Sequence, residues 1–250
     1  MSLLMVENVS KLFGSLVAVD NISMTVEPGE LRAVIGPNGA GKTTFFNTIS
    51  GFLTQSSGRI IFDGEDISAM TPPKRVWRGI ARTFQITEVF PELTVRENLK
   101  IAVEVASCYR LRIWQTADAA GEVQARVVDL LQMSNLTEKA DRLVGELSHG
   151  DQRATEIMMA LALNPRLLLL DEPTAGMGDQ ETYDITQLIR KLHRDQKLTI
   201  VLIEHDMRVV FHLADRIMVL AEGKMLAEGT PKEIAANEAV QAAYLGKAAA

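Results

Sequence analysis

A single cysteine, Cys108, occurs in 250 residues, so no intramolecular disulfide can form. It reads as a small apolar side chain rather than a nucleophile. No apolar run approaches the roughly 18 residues that a membrane-spanning helix needs. The longest candidate, residues 157–170, is broken by Asn164, Pro165 and Arg166 into a helix end and a short strand. The first ten residues lack the basic start and apolar stretch of a secretory signal, and none is expected. A basic excess is also missing. With 26 Lys and Arg against 32 Asp and Glu, the net charge is −6, which disfavours broad nucleic-acid binding and leaves room only for a local basic patch. There is no internal repeat, low-complexity tract or long linker. Present instead are 47% hydrophobic and 23% charged residues, the balance of a soluble globular chain with a sizeable core. The length fits one large domain, or one domain carrying a subdomain.

The most informative segment is Gly36, Pro37, Asn38, Gly39, Ala40, Gly41, Lys42 and Thr43, directly after the apolar run 31–35. Glycines at 36, 39 and 41 let the backbone curl so that successive N–H groups face phosphate oxygens. Lys42 reaches the β- and γ-phosphates, and the Thr43 hydroxyl takes a place on Mg²⁺. Thr44 to Ser50 reads as a helix whose N-terminal dipole adds to anion binding. A plain glycine-rich turn is the bland reading, and the preceding strand argues against it. No second loop of this kind occurs, so the chain carries one nucleotide cassette.

Residues 3–35 and 58–63 look β-rich, with a turn at 27–30. From about Val95 to Leu131 the pattern becomes helical. Beyond Pro165, buried strands at 166–171, 198–203 and 216–221 alternate with an amphipathic helix from Gln180 to Arg194. Uninterrupted apolar strands alternating with helices predict a parallel sheet covered on both faces. The helical stretch, about 90–160, is then an inserted subdomain.

Asp171 and Glu172 end the strand 166–171, at the sheet edge where ligands of open α/β folds lie. Asp171 is placed to hold Mg²⁺ through water, and Glu172 to polarise an attacking water. The bland alternative is a strand end running into a turn. His205 follows the strand 198–203 at the same expected edge, where a neutral imidazole would meet a γ-phosphate or a water; a loop or capping histidine is the alternative. Gln85 sits at another expected strand exit and by composition is only a polar loop residue. Phe13 is an aromatic upstream of the loop that would stack on a base or else belong to a hairpin. His149, His193 and His212 show no metal spacing with His205 or Cys108; His193 and His212 read as helix-surface residues. Residues 147–153 form a serine–glycine turn leading into a helix expected from Gln152 to Ala162, a second anion-binding helix start. One chain already has a complete phosphate loop. The second start makes sense if it serves the nucleotide of a partner copy, two copies facing head to tail around two ATP molecules.

In this order the motifs resemble the ATP-binding subunit of ATP-binding cassette transporters, over nearly the whole chain. The resemblance implies nucleotide binding by Phe13, the Walker A loop of Gly36, Pro37, Asn38, Gly39, Ala40, Gly41, Lys42 and Thr43, and Thr44. It makes Glu172, His205 and Gln85 catalytic, and Thr43, Gln85 and Asp171 the Mg²⁺ ligands. Ser148, His149, Gly150 and Asp151 become the signature that contacts the partner's nucleotide. The implied fold is α/β, a P-loop NTPase with a RecA-like core (about 1–90 and 160–230), an antiparallel β subdomain, the helical insert and a C-terminal helical tail (about 231–250).

Residues 81–85, 93–98, 204–207, 227–231 and 243–246 are similar to the branched-chain or hydrophobic amino acid uptake subfamily. Related importers of urea, short amides or aromatic acids share them, and a lipid or lipopolysaccharide export ATPase is the alternative cargo assignment. The implied cofactors are ATP and Mg²⁺. The implied partners are a second ATPase subunit, identical or paralogous, integral membrane permease subunits and, indirectly, a periplasmic or extracellular solute-binding protein, with no nucleic acid. The implied place is the cytoplasmic face of the inner (plasma) membrane, as a peripheral protein. Val89, Phe90 and Leu93 lie in a turn that would form a groove for the permease or pack within the helical insert. Two positions depart from the family pattern. His149 and Asp151 stand where the commonest form has Gly and Gln, and Gly178 stands where an aspartate is usual, with Asp179 next. The rival classes are a soluble cassette ATPase acting on nucleic acid or ribosomes, and a small-molecule kinase, which has no use for the signature.

Overall fold

Two sheets share one chain, and the phosphate loop lies where they meet. The computed structural model describes residues 2–83, 89–109 and 119–245. Gln85 lies outside the described residues, as does the Cys108 side chain. The first part runs β1 (Leu4–Phe13), β2 (Leu16–Val26), β3 (Leu31–Ile35), α1 (Lys42–Ser50), β4 (Ser57–Phe62), β5 (Glu65–Asp66), α2 (Pro72–Trp77) and β6 (Ile80–Arg82). Helices α3 (Val95–Tyr109), α4 (Ala119–Met133) and α5 (His149–Ala162) follow. The chain then returns to β7 (Leu167–Asp171), α6 (Asp179–Gln196), β8 (Thr199–Ile203), α7 (Met207–Leu213), β9 (Arg216–Ala221), β10 (Lys224–Gly229), α8 (Pro231–Ala235) and α9 (Glu238–Leu245).

The larger sheet has the order β10-β9-β3-β8-β7-β6. Its ladders from β9 to β6 are parallel, and β10 adds antiparallel at the edge. Every residue of β3, β7 and β8 is buried. The reason is that both faces are covered, so alternate side chains enter different cores. Leu168, Leu170, Ile200 and Leu202 pack with the helices α3 to α6 on one side. Leu167, Leu169, Val201 and Ile203 pack on the other with α1 and the smaller sheet. At about 1.5–3 kcal/mol for each fully buried aliphatic side chain, these strands supply much of the drive to fold.

The smaller sheet, β2-β1-β4-β5, is antiparallel. Strand β2 alternates buried and exposed residues along its second half, as a sheet with one solvated face requires. Its buried face meets Phe45, Phe46 and Ile49 of α1. The end of α1 is closed in an unusual way. Gly51 turns left-handed (φ 84°), and Arg75, 1% exposed, donates to the carbonyls of Thr48 (2.6 Å) and Ile49 (2.7 Å). A buried guanidinium thus satisfies the orphan carbonyls and the negative end of the helix dipole. Desolvation pushes its pKa down to about 10.

The structure corrects two expectations. Helix α5 begins at His149, ahead of the expected Gln152, because the Ser148 hydroxyl accepts the Asp151 N–H and caps it; such a cap contributes about 1 kcal/mol. His193 is not a surface residue of α6. Its Nδ1 stands 3.2 Å from the Leu198 carbonyl and its Nε2 3.2 Å from Asp215. An acceptor on both sides of the ring favours the imidazolium, and the hydrogen bond it donates to Asp215 raises its pKa. His212 is exposed, as expected. The Val89–Leu93 turn is pinned by Asn98, which accepts from Phe90 N and donates to Phe90 O. Val89 packs on the core while Phe90 stays exposed. No helix among the described residues is long and apolar enough to cross a membrane.

Candidate functional site

Strand register alone brings most of the site together. Val34 of β3 and Asp171 of β7 both pair with Ile203 of β8, so the three strands end level. Their exits are the loop 36–41, Glu172 and Glu204–His205, all at the C-terminal edge. The turn Glu222–Gly223, after β9, closes the same edge. Together they line a cleft of about 1000 Å³ that includes residues 36–44, Glu172, His205, Glu222, Gly223 and Leu16, Val17 and Ala18 of β2.

The loop glycines are needed for packing as well as curvature. At Gly41 φ is +94°, and a Cβ there would stand 2.4 Å from the Ala18 carbonyl oxygen. The loop therefore lies flat against β2, and Gly223 ties it further by donating to Ala40 O and accepting from Asp20 N. Lys42 is 7% exposed. Its ammonium donates to the carbonyls of Gly36 (2.7 Å) and Pro37 (3.2 Å). Desolvation lowers its pKa against the opposing charges of Glu172 and Asp171.

Glu172 takes a left-handed backbone (φ 46°), a conformation that costs a non-glycine residue about 1–3 kcal/mol and is concentrated at functional sites. Its N–H bonds Ile203 O, and its carboxylate lies 3.8 Å from His205 Nδ1. The two expected catalytic groups are thus neighbours across the cleft floor. His205 is 58% exposed and Glu172 18% exposed, so both reach solvent.

Asp171 is buried behind them. Arg82 of β6 donates to its Oδ2 at 2.8 Å and also to Asn47 (2.6 Å) and Ser50 (2.8 Å) of α1. Arg153 of α5 donates to the Asp171 carbonyl at 2.7 Å. The other carboxylate oxygen, Oδ1, is buried without a hydrogen-bond partner among the described residues. No group of three or more His, Cys, Asp or Glu able to hold a metal occurs among them either. The oxygens to hand are one hydroxyl on the cleft lining, Thr43, and one orphaned carboxylate oxygen off it, Asp171 Oδ1. That set fits Mg²⁺, which keeps several waters and draws its other ligands from phosphates.

Besides Asp171, two expected groups lie off the cleft lining. Phe13 ends β1 opposite Leu16, 46% exposed, with Lys11 Nζ 5.1 Å from its ring centroid. Ser148, Gly150 and Asp151 border a different cavity of about 360 Å³, lined also by Lys139, Glu181 and Lys191. The two cavities have no lining residue in common. At the second one, Glu181 Oε1 accepts the Gly150 N–H at 3.1 Å, and Lys139 pairs with Asp151 at 2.6 Å. The Gly150 bond is the leading cause of Glu181's lowered pKa. Arg82, Arg153 and Glu181 escaped sequence reasoning. Arg82 and Arg153 lie inside motif segments, but a buried arginine carries no signal that separates it from a surface one.

A β-lined cleft over a phosphate loop, with Glu172 and His205 on its floor and Asp171 buried behind them, is the arrangement of a P-loop ATPase of the cassette type. The comparisons agree. A family model described as ABC transporter matches residues 19–175, and one described as branched-chain amino acid ATP-binding cassette transporter matches 224–250. The high-affinity branched-chain amino acid transport ATP-binding protein BraF of Pseudomonas aeruginosa is 39% identical over 98% of this chain and 98% of its own. LivG of Escherichia coli, of the same description, is 38% identical with 98% of each covered. The lipopolysaccharide export system ATP-binding protein LptB of Haemophilus influenzae is 37% identical, covering 99% and 98%. Among solved structures, the ADP conformation of an ABC transporter cassette matches with a TM-score of 0.85 at 32% identity, covering 98% and 99%. A dimeric post-hydrolysis cassette bound to ADP and Pi gives 0.77 at 26%, covering 91% and 98%. The chain belongs to the ABC transporter family, as an ATP-binding and ATP-hydrolysing subunit. Within that family it stands with the branched-chain amino acid ATP-binding subunits of importers.

Proposed function

We propose that this subunit powers uptake of branched-chain or other hydrophobic amino acids, working in pairs at the cytoplasmic face of a membrane permease that receives cargo from a solute-binding protein. The cargo reading rests on relatives similar over their full length and on the match at 224–250. LptB, at 37%, favours lipopolysaccharide export as the second reading. The helical insert, about 90–160, and the tail, about 231–250, are taken as the parts that set this cassette apart from a bare phosphate-loop core.

The pairing reading rests on one observation: two anion-type helix starts border separate cavities of one chain. In this mechanism ATP lies in the cleft of one copy on the N–H groups of residues 36–44 and on Lys42, with Phe13 beside the base. Ser148 and Gly150 of the second copy close over the γ-phosphate, with His149 and Asp151 flanking them. To do so, the phosphate takes over the Gly150 N–H that Glu181 holds here. Glu172 accepts a proton from the attacking water, and His205 donates to the γ-phosphate. Bound Mg²⁺ would neutralise charge on the phosphate oxygens, held by Thr43, Asp171 Oδ1 and Gln85.

Glu172→Gln tests the reading. ATP binding should persist while turnover falls by about 10²–10⁴-fold. The variant should accumulate as an ATP-dependent pair in light scattering. Normal hydrolysis would remove Glu172 from the base role. For the cargo, loss of labelled leucine uptake on deleting the gene, restored by the wild type and not by Glu172→Gln, is the expected result. Lost lipopolysaccharide export with intact uptake would favour the second reading.

A further inference from the structure

Glu204 is fully buried, with 0% exposure, and the mechanism above gives it no part. Its carboxylate is shared between two loops. Oε1 accepts the Thr174 N–H at 3.1 Å and also the Thr174 hydroxyl. Oε2 accepts the N–H of His205 at 2.9 Å and that of Asp206 at 3.3 Å. His205 Nδ1 stands 3.9 Å from Oε2, too far for a hydrogen bond. Thr174 begins the segment that leaves β7 past Glu172 and leads to Gly178, the N-cap of α6. His205 lines the nucleotide cleft.

We propose that Glu204 is a positioning residue for ATP hydrolysis: its carboxylate fastens His205 and the 174–178 loop into one unit, so that neither moves without the other. This rests on the reading that His205 meets the γ-phosphate. The chemistry demands an anion with two accepting oxygens. A carboxylate satisfies donors on both sides at once, whereas an amide offers one oxygen and one NH₂ group. With glutamine, one loop keeps its acceptor and the other faces N–H against N–H. The loop so released is buried and left with orphan donors.

The unit reaches further. Gly178 N lies 3.4 Å from Glu181 Oε2, and Glu181 Oε1 holds Gly150 N. Hydrogen bonds therefore run from the cleft histidine through Glu204 and the 174–178 loop to the signature helix of the same chain. Two glutamates carry that link, and Glu204 is its buried member.

The test compares variants of the full-length protein in steady-state ATPase, nucleotide titration and thermal melting. Glu204→Gln should lower kcat by about tenfold or more while ATP affinity stays within about twofold. Thr174→Val removes one of the four donors and should lower kcat by about threefold, and Thr174→Ser, which keeps the hydroxyl, should restore it. The double variant Thr174→Val, Glu204→Gln should be no slower than Glu204→Gln alone, because both cut the same link. A kcat of Glu204→Gln within about twofold of wild type, or strictly additive losses in the double variant, overturns the proposal. Equal loss of affinity and kcat with a collapsed melting temperature also overturns it, since that is a structural role. If Glu204→Gln fails to fold, the contrast of valine with serine at position 174 decides the matter. His205→Ala run alongside separates the two readings: a large loss of kcat there with an unaffected Glu204→Gln sinks only this proposal, and a His205→Ala kcat within about twofold of wild type sinks the reading beneath it.

Discussion

Helices α1 and α5 both start at glycine-bearing turns suited to anions, and they treat their first N–H groups in opposite ways. At α1 the N-cap is Gly41 in a left-handed conformation, with no side-chain cap and no acidic residue in the first turn. The positive pole, about half a charge, is left to phosphate, with Lys42 folded beneath it. At α5 the same groups are already served. Ser148 Oγ takes the Asp151 N–H, and the Glu181 carboxylate takes that of Gly150. One helix start is a standing cradle. The other carries its own anion, which in the proposed mechanism is exchanged for a phosphate brought by a second copy.

Lys42→Ala strikes the cradle. Turnover should fall by about 10²–10³-fold, the cost of one charge-stabilising donor, and a nucleotide titration should show weaker binding. Unchanged affinity would contradict the cradle. Ser148→Arg strikes the other helix start. Because the two cavities have no lining residue in common, nucleotide affinity should stay within about twofold while ATP-driven pairing and turnover are lost. Weaker nucleotide binding by the lone subunit would break the contrast. Glu181→Gln makes a finer cut. A neutral amide holds Gly150 less tightly than a carboxylate, so half-maximal pairing should need about two- to fivefold less ATP. An increase would mean that Glu181 assists closure.

Away from both helix starts, the His193–Asp215 pair gives the smallest effect, and it depends on pH. The folded pKa of His193 is raised, first by its hydrogen bond with Asp215. Its stabilisation is therefore full below the ordinary histidine value of about 6.5 and drains away as pH rises through the raised value. Asp215, lowered chiefly by the same bond, loses its share only in acid, as pH falls through its depressed value. His193→Gln should lower the melting temperature more at about pH 6 than at about pH 9. Equal losses at both would show an uncharged ring.

The strands at 31–35, 198–203 and 216–221 were legible because a strand covered on both faces is apolar throughout. The phosphate loop was legible because its chemistry is local and depends on residue types at fixed spacing. His193 was misread because its partner, Asp215, lies across α7 in the chain. Arg75, Arg82, Arg153 and Glu204 were invisible for a related reason. A charged residue in a sequence reads as solvated, and only its distant partners show that it is not.

The sequence by itself pointed to a nucleoside triphosphate, to the loop that would cradle its phosphates and to the carboxylate beside it, since those readings follow from contiguous residues whose backbone geometry is set locally. Tertiary structure alone decided that β3 lies between β8 and β9, that Arg82 takes one oxygen of Asp171 and leaves the other without a hydrogen-bond partner among the described residues, and that Glu204 joins two loops. These are long-range contacts among buried polar groups. Desolvation forces each such group to find a partner, and which partner it finds depends on how the strands are ordered in space.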